Sequence, residues 1–439
     1  MKIVIWTGAA WEPWGPPSVD HGGIGGSETA AVHMAYELGR RGHEVVMFGD
    51  HAGFEGKWKI DPESHGETRI DPEISSSLRD SPGLSVSLRD FPGLSVSYRS
   101  YQEAVADPKL LECDVFVSSR DKRIVRILPS TSSFPPVKVL WLHDVHVGDD
   151  WENDLLQFDR LYTLTRWHKK FVEGVYPHVD QEKIVVSRNG IDPSRFADLD
   201  WTKKKPHFVY SSSPDRGLDV LLDMWPKIRE LRSDAELHVY YGFDTWRKMN
   251  AQNKRGLAVV EYMFSRVTQS EDEGIRYHGR TGQTELAEAQ KKALIWCYPT
   301  RFSETFCISA LEAQAAGCCV STSKLAALEE TASMWLLIPG LNSSAAYQAH
   351  ALAQISHYLH AWDLDNQVSA TMRPGDCHVP GYLIAHAARD WALKQTWAAI
   401  AEEWERDFLG MLGGGEARKQ GSSEESAEAQ KQGSSEGDS

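Results

Sequence analysis

The sequence predicts an α/β protein with two Rossmann-like domains, each built around a parallel sheet. Near the start, an apolar run at residues 2–7, a helical periodicity at 27–41 and an apolar run at 42–48 form a β-α-β pattern. In the second half, an apolar run at 294–298 leads into a helix that ends at Gly317, and another apolar run follows at once. Such units form parallel sheets, whose ligands bind at the carboxyl ends of the strands.

The composition is that of a globular protein without a basic surface. The chain has 439 residues and a net charge of −15, with 47 Lys and Arg against 62 Asp and Glu. This length suits two or three domains, and the acidic balance argues against nucleic-acid binding. The six cysteines lack metal-ligand spacing, the start lacks a signal-peptide cleavage pattern, and no apolar run reaches the roughly 18 residues of a membrane span. We therefore expect a cytoplasmic protein.

A glycine cluster precedes the first predicted helix. Gly22, Gly23, Gly25 and Gly26 come just before Ser27, a plausible helix cap. Glycines at a helix N-terminus let backbone N–H groups approach an anion, which favours a phosphate-facing loop over a merely structural one. A dinucleotide-binding dehydrogenase is disfavoured, because the glycines come about 15 residues after the strand and GGIGGSE does not fit G-x-G-x-x-G.

The rest of the first domain, predicted over residues 1–195, continues with strands at 113–120, 138–144 and 160–165. His143 closes one of these strands, where ligands gather in such sheets. The alternative is a purely structural histidine. Asn189 and Gly190 are expected to turn the chain where the domain ends.

A polar segment at about 50–100 interrupts this alternation. It contains a tandem duplication, LRDSPGLSVS at 78–87 and LRDFPGLSVS at 88–97. Two copies are too few for a repeat fold, so we expect an inserted surface loop or hairpin at about 75–98 without chemistry of its own.

Two basic stretches lie at 166–171 and at 203–205. The favoured interpretation is a solvated surface helix and an interdomain linker. Contact with anionic lipid is the alternative, and it would give weak peripheral attachment to a membrane.

The second domain is predicted over residues 205–385. It opens with a strand at 207–213 and a helix that reaches Leu231, and Arg216 lies between them, where phosphate groups bind. Arg280 and Arg301 are further candidate cations for a diphosphate, and surface ion pairs are the alternative for each.

Two carboxylates follow the apolar run at 294–298. Glu304 lies at the carboxyl end of that strand, and Glu312 lies within an otherwise apolar helix, where a charge needs a partner. With the preceding Tyr-Pro-Thr turn and the following Glu-Ala-x-Ala-x-Gly, the pair resembles the donor-site signature of family-four retaining glycosyltransferases. The resemblance implies the GT-B fold, in which two Rossmann-like domains face each other across a cleft. It also implies that Glu304 meets the donor sugar and that Glu312 holds the ribose.

The resemblance assigns further residues to the donor site. It implies that Gly25 and Gly26 face the donor diphosphate across the cleft and that His143 reaches the donor sugar. Thr305 and Phe306 match the family turn.

The chain departs from the family pattern at three positions. Most members carry an arginine five residues before a Lys-Gly pair, whereas this chain has Ser211 and Arg216 there. Cys307 stands where glycine is usual.

The C-terminal part is predicted to contain helices at 345–360 and 382–411. Its last helix, assigned to 386–412, has the apolar spacing to cross back onto the first domain, as the GT-B architecture requires. Residues 413–439 contain no aromatic residue and are expected to form a disordered acidic tail.

The implied reaction moves a sugar from a UDP- or GDP-sugar to a glycan, lipid or other hydroxyl acceptor, with retention at the anomeric carbon. His143, Arg216 and Glu304 are the expected catalytic residues. No metal or other cofactor is expected, because the Asp-x-Asp sequences at 198–200 and 363–365 are interpreted as exposed loop acids. A nucleotide-sugar epimerase, a sugar phosphorylase and an inactive sugar-binding protein remain as alternatives.

Overall fold

The computed structural model describes residues 1–60, 70–72, 95–128, 137–145, 148–371 and 383–413. These residues form two sheets, the first from the N-terminal half of the chain and the second from the C-terminal half. The strands of the first sheet are β1 (Lys2–Gly8), β2 (Glu44–Gly49), β3 (Gly56–Ile60), β4 (Ile70–Pro72), β5 (Ser95–Ser100), β6 (Val115–Ser119), β7 (Val137–Trp141), β8 (Arg160–Thr163) and β9 (Ile184–Val186). Their order is β4-β3-β5-β2-β1-β6-β7-β8-β9. The pairings are parallel except those of β3 with β4 and β5.

The second sheet is parallel in all of its described pairings. Its strands are β10 (Lys205–Tyr210), β11 (Glu236–Tyr240), β12 (Ile275–Gly279), β13 (Ala293–Tyr298) and β14 (Cys319–Thr322). They lie in the order β12-β11-β10-β13-β14. In both sheets the chain therefore reverses its direction of travel across the sheet, between β1 and β6 and between β10 and β13. Ligands of doubly wound sheets bind at such points.

Helices connect the strands and cover the sheets. Their first group is α1 (Gly26–Arg40), α2 (Tyr101–Ala106), α3 (Arg166–Val175), α4 (Leu218–Leu231), α5 (Asp244–Asn250) and α6 (Lys254–Thr268). The second group is α7 (Gln283–Lys292), α8 (Ile308–Ala315), α9 (Leu328–Thr331), α10 (Ala345–Thr371), α11 (Leu383–Ala392) and α12 (397–413). Every residue of β13 is buried, because a central parallel strand is covered on both faces.

Helix α12 packs on the first sheet although it follows the second in sequence. Trp397, Trp404 and Phe408 belong to the hydrophobic core that also contains residues of β1 and β2. The indole Nε1 of Trp404 donates to Ser187 Oγ at 2.6 Å, and Tyr162 donates its hydroxyl to Asp407 Oδ2 at 2.6 Å. The C-terminal helix thus crosses back onto the first domain, as predicted.

The helix predicted at 382–411 is divided into α11 and α12. The chain leaves the helix because the backbone of Gln395 and Thr396 pairs with Ile191, whose N–H donates to Gln395 O at 2.8 Å. Gly190 makes this approach possible, since a Cβ there would lie 2.4 Å from the backbone nitrogen of Trp397. The predicted turn at Asn189 and Gly190 is therefore also a contact between the interdomain segment and α12.

The predicted insertion at 75–98 is wrong at its end. Ser95–Ser100 is strand β5, which pairs with β2, and its residues Val96 and Tyr98 are buried. The prediction missed β5 because only two of its six residues are fully buried, so the polar residues between them resembled a loop. The first ten-residue copy and the predicted tail beyond residue 413 lie outside the described residues.

The basic stretch at 203–205 is not a solvated linker throughout. Lys204 is buried, and its ammonium group donates to Ala293 O at 2.6 Å, Ala316 O at 2.7 Å and Gln290 O at 3.2 Å. Burial lowers the pKa of Lys204. The side chain therefore joins the ends of α7 and α8 to the start of β10 and is not available to a lipid surface.

Candidate active site

A cleft of about 400 Å³ lies where the carboxyl ends of the two sheets face each other. One wall comes from the segments after β1, β6, β7, β8 and β9, and the other comes from the segments after β10, β11, β12 and β13. All but one of the site residues predicted from the sequence line this cleft, and the exception is Arg301: the lining contains Gly25, Gly26, His143, Arg216, Arg280, Glu304, Thr305, Phe306 and Glu312. The structure thus brings together residues from both halves of the chain.

The N-terminus of α1 opens into the cleft. The helix begins at Gly26, with Gly25 as its cap residue, so the predicted cap Ser27 instead lies in the first turn and donates to Glu28 Oε2 at 2.8 Å. The backbone N–H groups of a first helical turn have no partner within the helix. Together with the positive end of the helix dipole they form a site suited to an anion.

Gly23 of this loop contacts the second domain. Gly23 has a φ of +69°, and a Cβ there would lie 2.6 Å from Thr281 O. The guanidinium of Arg280 donates to Gly23 O at 2.7 Å and forms an ion pair with Glu12. Arg280 therefore lines the cleft but already has two partners on the opposite wall, so it joins the domains.

Arg216 and Glu304 form the central ion pair of the cleft. Arg216 ends a short helical turn after β10, Glu304 follows β13, and Nη1 of the arginine lies 3.0 Å from Oε1 of the glutamate. The hydroxyl of Tyr298 donates to the same oxygen at 2.6 Å, and the guanidinium lies 3.9 Å from the ring centre of Phe302. Burial raises the pKa of Glu304, while Arg216 and the Tyr298 hydroxyl oppose that rise.

Glu312 presents a carboxyl group to the cleft without a protein partner. It lies in the second turn of α8, and within the described residues its side chain has no hydrogen bond or ion pair. Burial raises its pKa from an ordinary 4.5 to about 7, although the charge of Arg195 acts in the opposite direction. A half-buried carboxyl group that faces the cleft without a partner is costly unless a ligand supplies donors.

His143 follows β7 by two residues and is buried against Trp141, with the two ring centres 4.4 Å apart. Its Nε2 has no hydrogen-bond partner among the described residues. Burial, helped by the charges of Arg120 and His168, lowers the pKa of His143 well below its ordinary value. The imidazole is therefore neutral at pH 7 and can exchange one hydrogen bond with a bound ligand.

Thr305 and Phe306 connect the two halves of the molecule. The hydroxyl of Thr305 donates to His143 O at 2.6 Å, and Thr305 O accepts from Thr165 Oγ1 at 3.1 Å. Phe306 packs against the cores of both sheets. Cys307, at the start of α8, is buried, and burial raises the pKa of its thiol well above the ordinary value.

Sequence reasoning missed some polar groups of the cleft. Arg120 directly follows β6 with a φ of +69°, lines the cleft and pairs with Asp144 at 3.0 Å. Asn189 Oδ1 and Ser211 Oγ, both in cleft-lining residues, are buried without a hydrogen-bond partner among the described residues. The place of Arg120 at the end of a buried strand is the same signal that singled out His143.

Arg301 does not belong to the cleft. Its guanidinium pairs with Asp219 at 2.5 Å, and it is absent from the cleft lining. Arg301 therefore forms a surface ion pair, which was the alternative stated for this residue from the sequence.

The two Asp-x-Asp sequences have ordinary structural partners. Asp198 binds Lys291, and Asp200 accepts from the backbone N–H of Thr202 at 3.0 Å. Asp363 accepts from Arg232 at 2.7 Å. The prediction of loop acids is wrong for Asp363 and Asp365, since both lie within α10.

The basic stretch at 166–171 begins α3. Arg166 pairs with Glu330 of the second half at 3.2 Å. Among the described residues, no helix combines the length and the apolar character needed to cross a membrane.

Several solved glycosyltransferases are similar to this chain in structure. Sucrose-phosphate synthase from Thermosynechococcus elongatus matches with a TM-score of 0.60 and 14% identity, covering 94% of this chain and 100% of that one. A glycosyltransferase from Rickettsia africae matches at 0.59 and 13%, covering 94% and 98%. HepE of Anabaena, solved with UDP and glucose, matches at 0.56 and 14%, covering 93% and 100%. The chain has the GT-B fold that its sequence predicted.

The second half of the chain also matches a family model in sequence. Residues 205–355 match the model described as "Glycosyl transferases group 1". This span runs from β10 into α10 and contains Arg216, Glu304 and Glu312. No curated protein matches the chain in sequence. The second half of the chain is therefore similar in sequence to a group 1 glycosyltransferase domain.

Proposed function

We propose that this protein is a retaining glycosyltransferase that moves a hexose from a nucleoside diphosphate sugar to a hydroxyl group of an acceptor. The observation that carries the proposal is the convergence of Arg216, Glu304, Glu312 and His143 with the N-terminus of α1 on one cleft. These groups match the parts of the donor in chemistry: cations and helix N–H groups for a diphosphate, and acceptors for sugar hydroxyls. The family match over residues 205–355 supports the same class.

The diphosphate is assigned to Arg216 and the first turn of α1. Negative charge develops on the leaving diphosphate as its bond to the sugar breaks, so fixed positive groups near it lower the barrier. Arg216 comes from the second sheet and α1 from the first, so closing the cleft on the donor brings both to the same group. This stabilisation needs no metal ion.

Glu312 is assigned to the ribose and Glu304 to the donor sugar. Glu312 lacks a protein partner, and two ribose hydroxyls would supply the hydrogen bonds that it lacks. Glu304 is held in place by Arg216 and Tyr298, so its second oxygen is oriented for a sugar hydroxyl. His143, with its unpartnered Nε2, is assigned to the sugar from the opposite wall.

We assign retention of the anomeric configuration to attack by the acceptor hydroxyl on the same face of the sugar from which the diphosphate departs. Of the carboxylates in the cleft, Glu304 is paired with Arg216 and Asp144 with Arg120, which argues against either as a free nucleophile. In the proposed step the bond from the anomeric carbon to the phosphate oxygen breaks and a bond to the acceptor oxygen forms. The acceptor proton passes to the departing phosphate oxygen.

The proposed donor is a UDP- or GDP-sugar. UDP-sugars are the first to test, because HepE of Anabaena was solved with UDP. The acceptor is a glycan, lipid or other hydroxyl compound. An acceptor in a membrane would require only the weak peripheral contact that the exposed, basic start of α3 allows.

A panel of nucleotide sugars tests the assignment. A donor at 100 times its Kd should raise the free energy of unfolding by about 2.7 kcal/mol, which a thermal melt detects. We expect stabilisation by the intact donor and by its nucleoside diphosphate. Failure of every UDP- and GDP-sugar to stabilise the protein would contradict the proposal. Release of an epimerised donor without an acceptor would instead identify an epimerase.

A further inference from the structure

Three metal-ligating side chains meet on the second sheet outside the cleft. His207 lies on β10, and Glu236 and His238 lie on the neighbouring strand β11. Parallel pairing places His207 opposite Glu236, and residues 236 and 238 project from the same face because side chains alternate along a strand. None of the three lines the cleft.

The distances within this group fit one shared ion. Nε2 of His207 and Nε2 of His238 each lie 3.4 Å from the same oxygen, Glu236 Oε2, and one ligand atom from each residue lies within 4.8 Å of the others. A tetrahedral zinc ion has ligands at about 2.0–2.2 Å, which places two neighbouring ligand atoms about 3.3–3.5 Å apart. The two histidine–glutamate distances thus already have the required length.

Neighbouring groups orient the ligands and leave the coordinating atoms free. Nδ1 of His238 lies 2.9 Å from Nε2 of His278, and Nε2 of His238 is buried without a hydrogen-bond partner among the described residues. Arg276 donates to the other oxygen of Glu236 at 2.9 Å. Metal-binding histidines commonly donate their second ring nitrogen to an outer partner in this way.

We propose that His207, Glu236 and His238 bind a divalent transition-metal ion, with zinc as the best match and a fourth position left to water. Two imidazoles and a carboxylate suit zinc and its neighbours in the first transition series, whereas magnesium prefers oxygen ligands. The ion would tie β10 to β11. It would also contact the donor cleft indirectly, because Tyr240, which lines the cleft, stacks on His278 with ring centres 4.3 Å apart.

No metal ligands were expected from the sequence, in which only two members of this group lie near each other. Glu236 and His238 are two residues apart in an apolar-polar alternation typical of a strand and so share a face. The third ligand is 29 residues before Glu236, and only the register of β10 on β11 brings it to the group. Zinc binding can be tested separately from the proposed glycosyl transfer, because the three ligands lie outside the cleft.

Zinc binding to the full chain tests the proposal. After EDTA treatment and dialysis, calorimetry and elemental analysis should show one tightly bound zinc per chain, with magnesium unable to compete. Cobalt at the same site should give the visible absorption of a tetrahedral complex. His207→Ala and His238→Ala should each abolish this binding, and His278→Ala should weaken it about 10- to 100-fold.

Matched variants separate this site from other zinc-binding groups. His350→Ala is the control, because His350 is exposed on α10 and bonds only to a backbone oxygen of its own helix, so zinc binding should not change. Glu236→Gln keeps the side-chain shape and removes the charge. If circular dichroism shows that either alanine variant is unfolded, Glu236→Gln is measured in its place. Absence of tight zinc binding in the wild type would overturn the proposal. Equal zinc affinity in the wild type and in the folded variants of His207, Glu236 and His238 would do the same.

Discussion

Nη1 of Arg216 lies 3.0 Å from Oε1 of Glu304, so the residues assigned to the diphosphate and to the donor sugar form an ion pair. Burial alone would reduce the charge of Arg216, but Glu304 and its other acidic neighbours raise the pKa of the guanidinium above its ordinary value. The guanidinium of Arg216 is therefore charged at pH 7. In the proposed complex the donor shares Arg216 with Glu304, so its phosphate would lie beside the carboxylate assigned to the sugar.

Replacing Arg216 tests the electrostatic part of the proposed mechanism. Arg216→Ala should lower the catalytic rate by roughly two to three powers of ten, the scale for losing one group that stabilises transition-state charge. Arg216→Lys should recover part of the rate, since it keeps the charge but loses the planar fork. The measurement is the initial rate of nucleotide release at saturating donor.

Arg301→Ala is the matched control for Arg216. Both arginines follow strands of the second sheet, but Arg301 pairs with Asp219 outside the cleft. Its replacement should leave the rate within about twofold, because an exposed ion pair contributes little. A folded Arg216→Ala protein with the rate and donor affinity of Arg301→Ala would move the diphosphate site elsewhere.

The unpartnered carboxyl group of Glu312 leads to a second prediction. Glu312→Gln should weaken binding of the free nucleoside diphosphate by roughly tenfold or more, because a hydrogen bond to a charged group contributes about 1.5–3 kcal/mol. Isothermal calorimetry with the product nucleotide measures this directly. Glu230→Gln, on the exposed side of α4, should bind normally. Unchanged affinity in Glu312→Gln would remove this residue from the ribose site.

The raised pKa of Glu312 gives a third prediction, on stability without ligand. Its pKa rises from 4.5 to about 7 on folding, so the folded state holds the proton more tightly than the unfolded state does. That stabilisation is complete below pH 4.5 and is lost as the pH rises through about 7. Glu312→Gln should therefore gain stability relative to the wild type between pH 5 and pH 8, by up to about 3 kcal/mol. Denaturant unfolding at both pH values measures the gain, and a difference independent of pH would contradict a half-buried carboxyl group that titrates in this range.

Much of the fold followed from local patterns in the sequence. Apolar runs at β1 and β13 and glycines at the ends of helices are readable without tertiary structure, and they were enough to predict two parallel sheets. Strand β5 was missed because its polar and apolar residues alternate beside a duplicated, loop-like segment. Lys204 was misinterpreted because its carbonyl partners come from residues 86 to 112 positions away.

The candidate site could also be predicted only in part, because contacts between distant residues are not visible in the sequence. Residues next to strand ends, such as His143 and Glu304, could be singled out in the sequence, since parallel sheets gather ligands there. Their partners could not be identified from the sequence, because the pairing of Arg216 with Glu304 spans 88 residues and depends on strand order. Arg280 illustrates the converse: its place in the sequence suggested a cation for a diphosphate or a surface ion pair, whereas in the structure it binds Gly23 and Glu12 of the facing domain.

Gly190 offers a fourth prediction, on the contact between α12 and the interdomain segment. A Cβ at this position would lie 2.4 Å from the backbone nitrogen of Trp397, so Gly190→Ala should destabilise the protein by about 1–3 kcal/mol. Gly410→Ala is the control, because a Cβ there meets no atom within 4 Å and alanine favours the helix. Thermal unfolding compares the two variants. Equal stability of Gly190→Ala and the wild type would show that the backbone contact is not tight.

Slow hydrolysis of the donor, with water in place of the unknown acceptor, tests the central claim most directly. The donor that stabilises the protein is incubated with enzyme, and proton NMR follows the first sugar released, before its anomers interconvert. We predict release of nucleoside diphosphate and of a sugar that keeps the anomeric configuration of the donor, with both products strongly reduced in Arg216→Ala. Initial release of the opposite anomer, or donor binding without any release, would contradict a retaining glycosyltransferase.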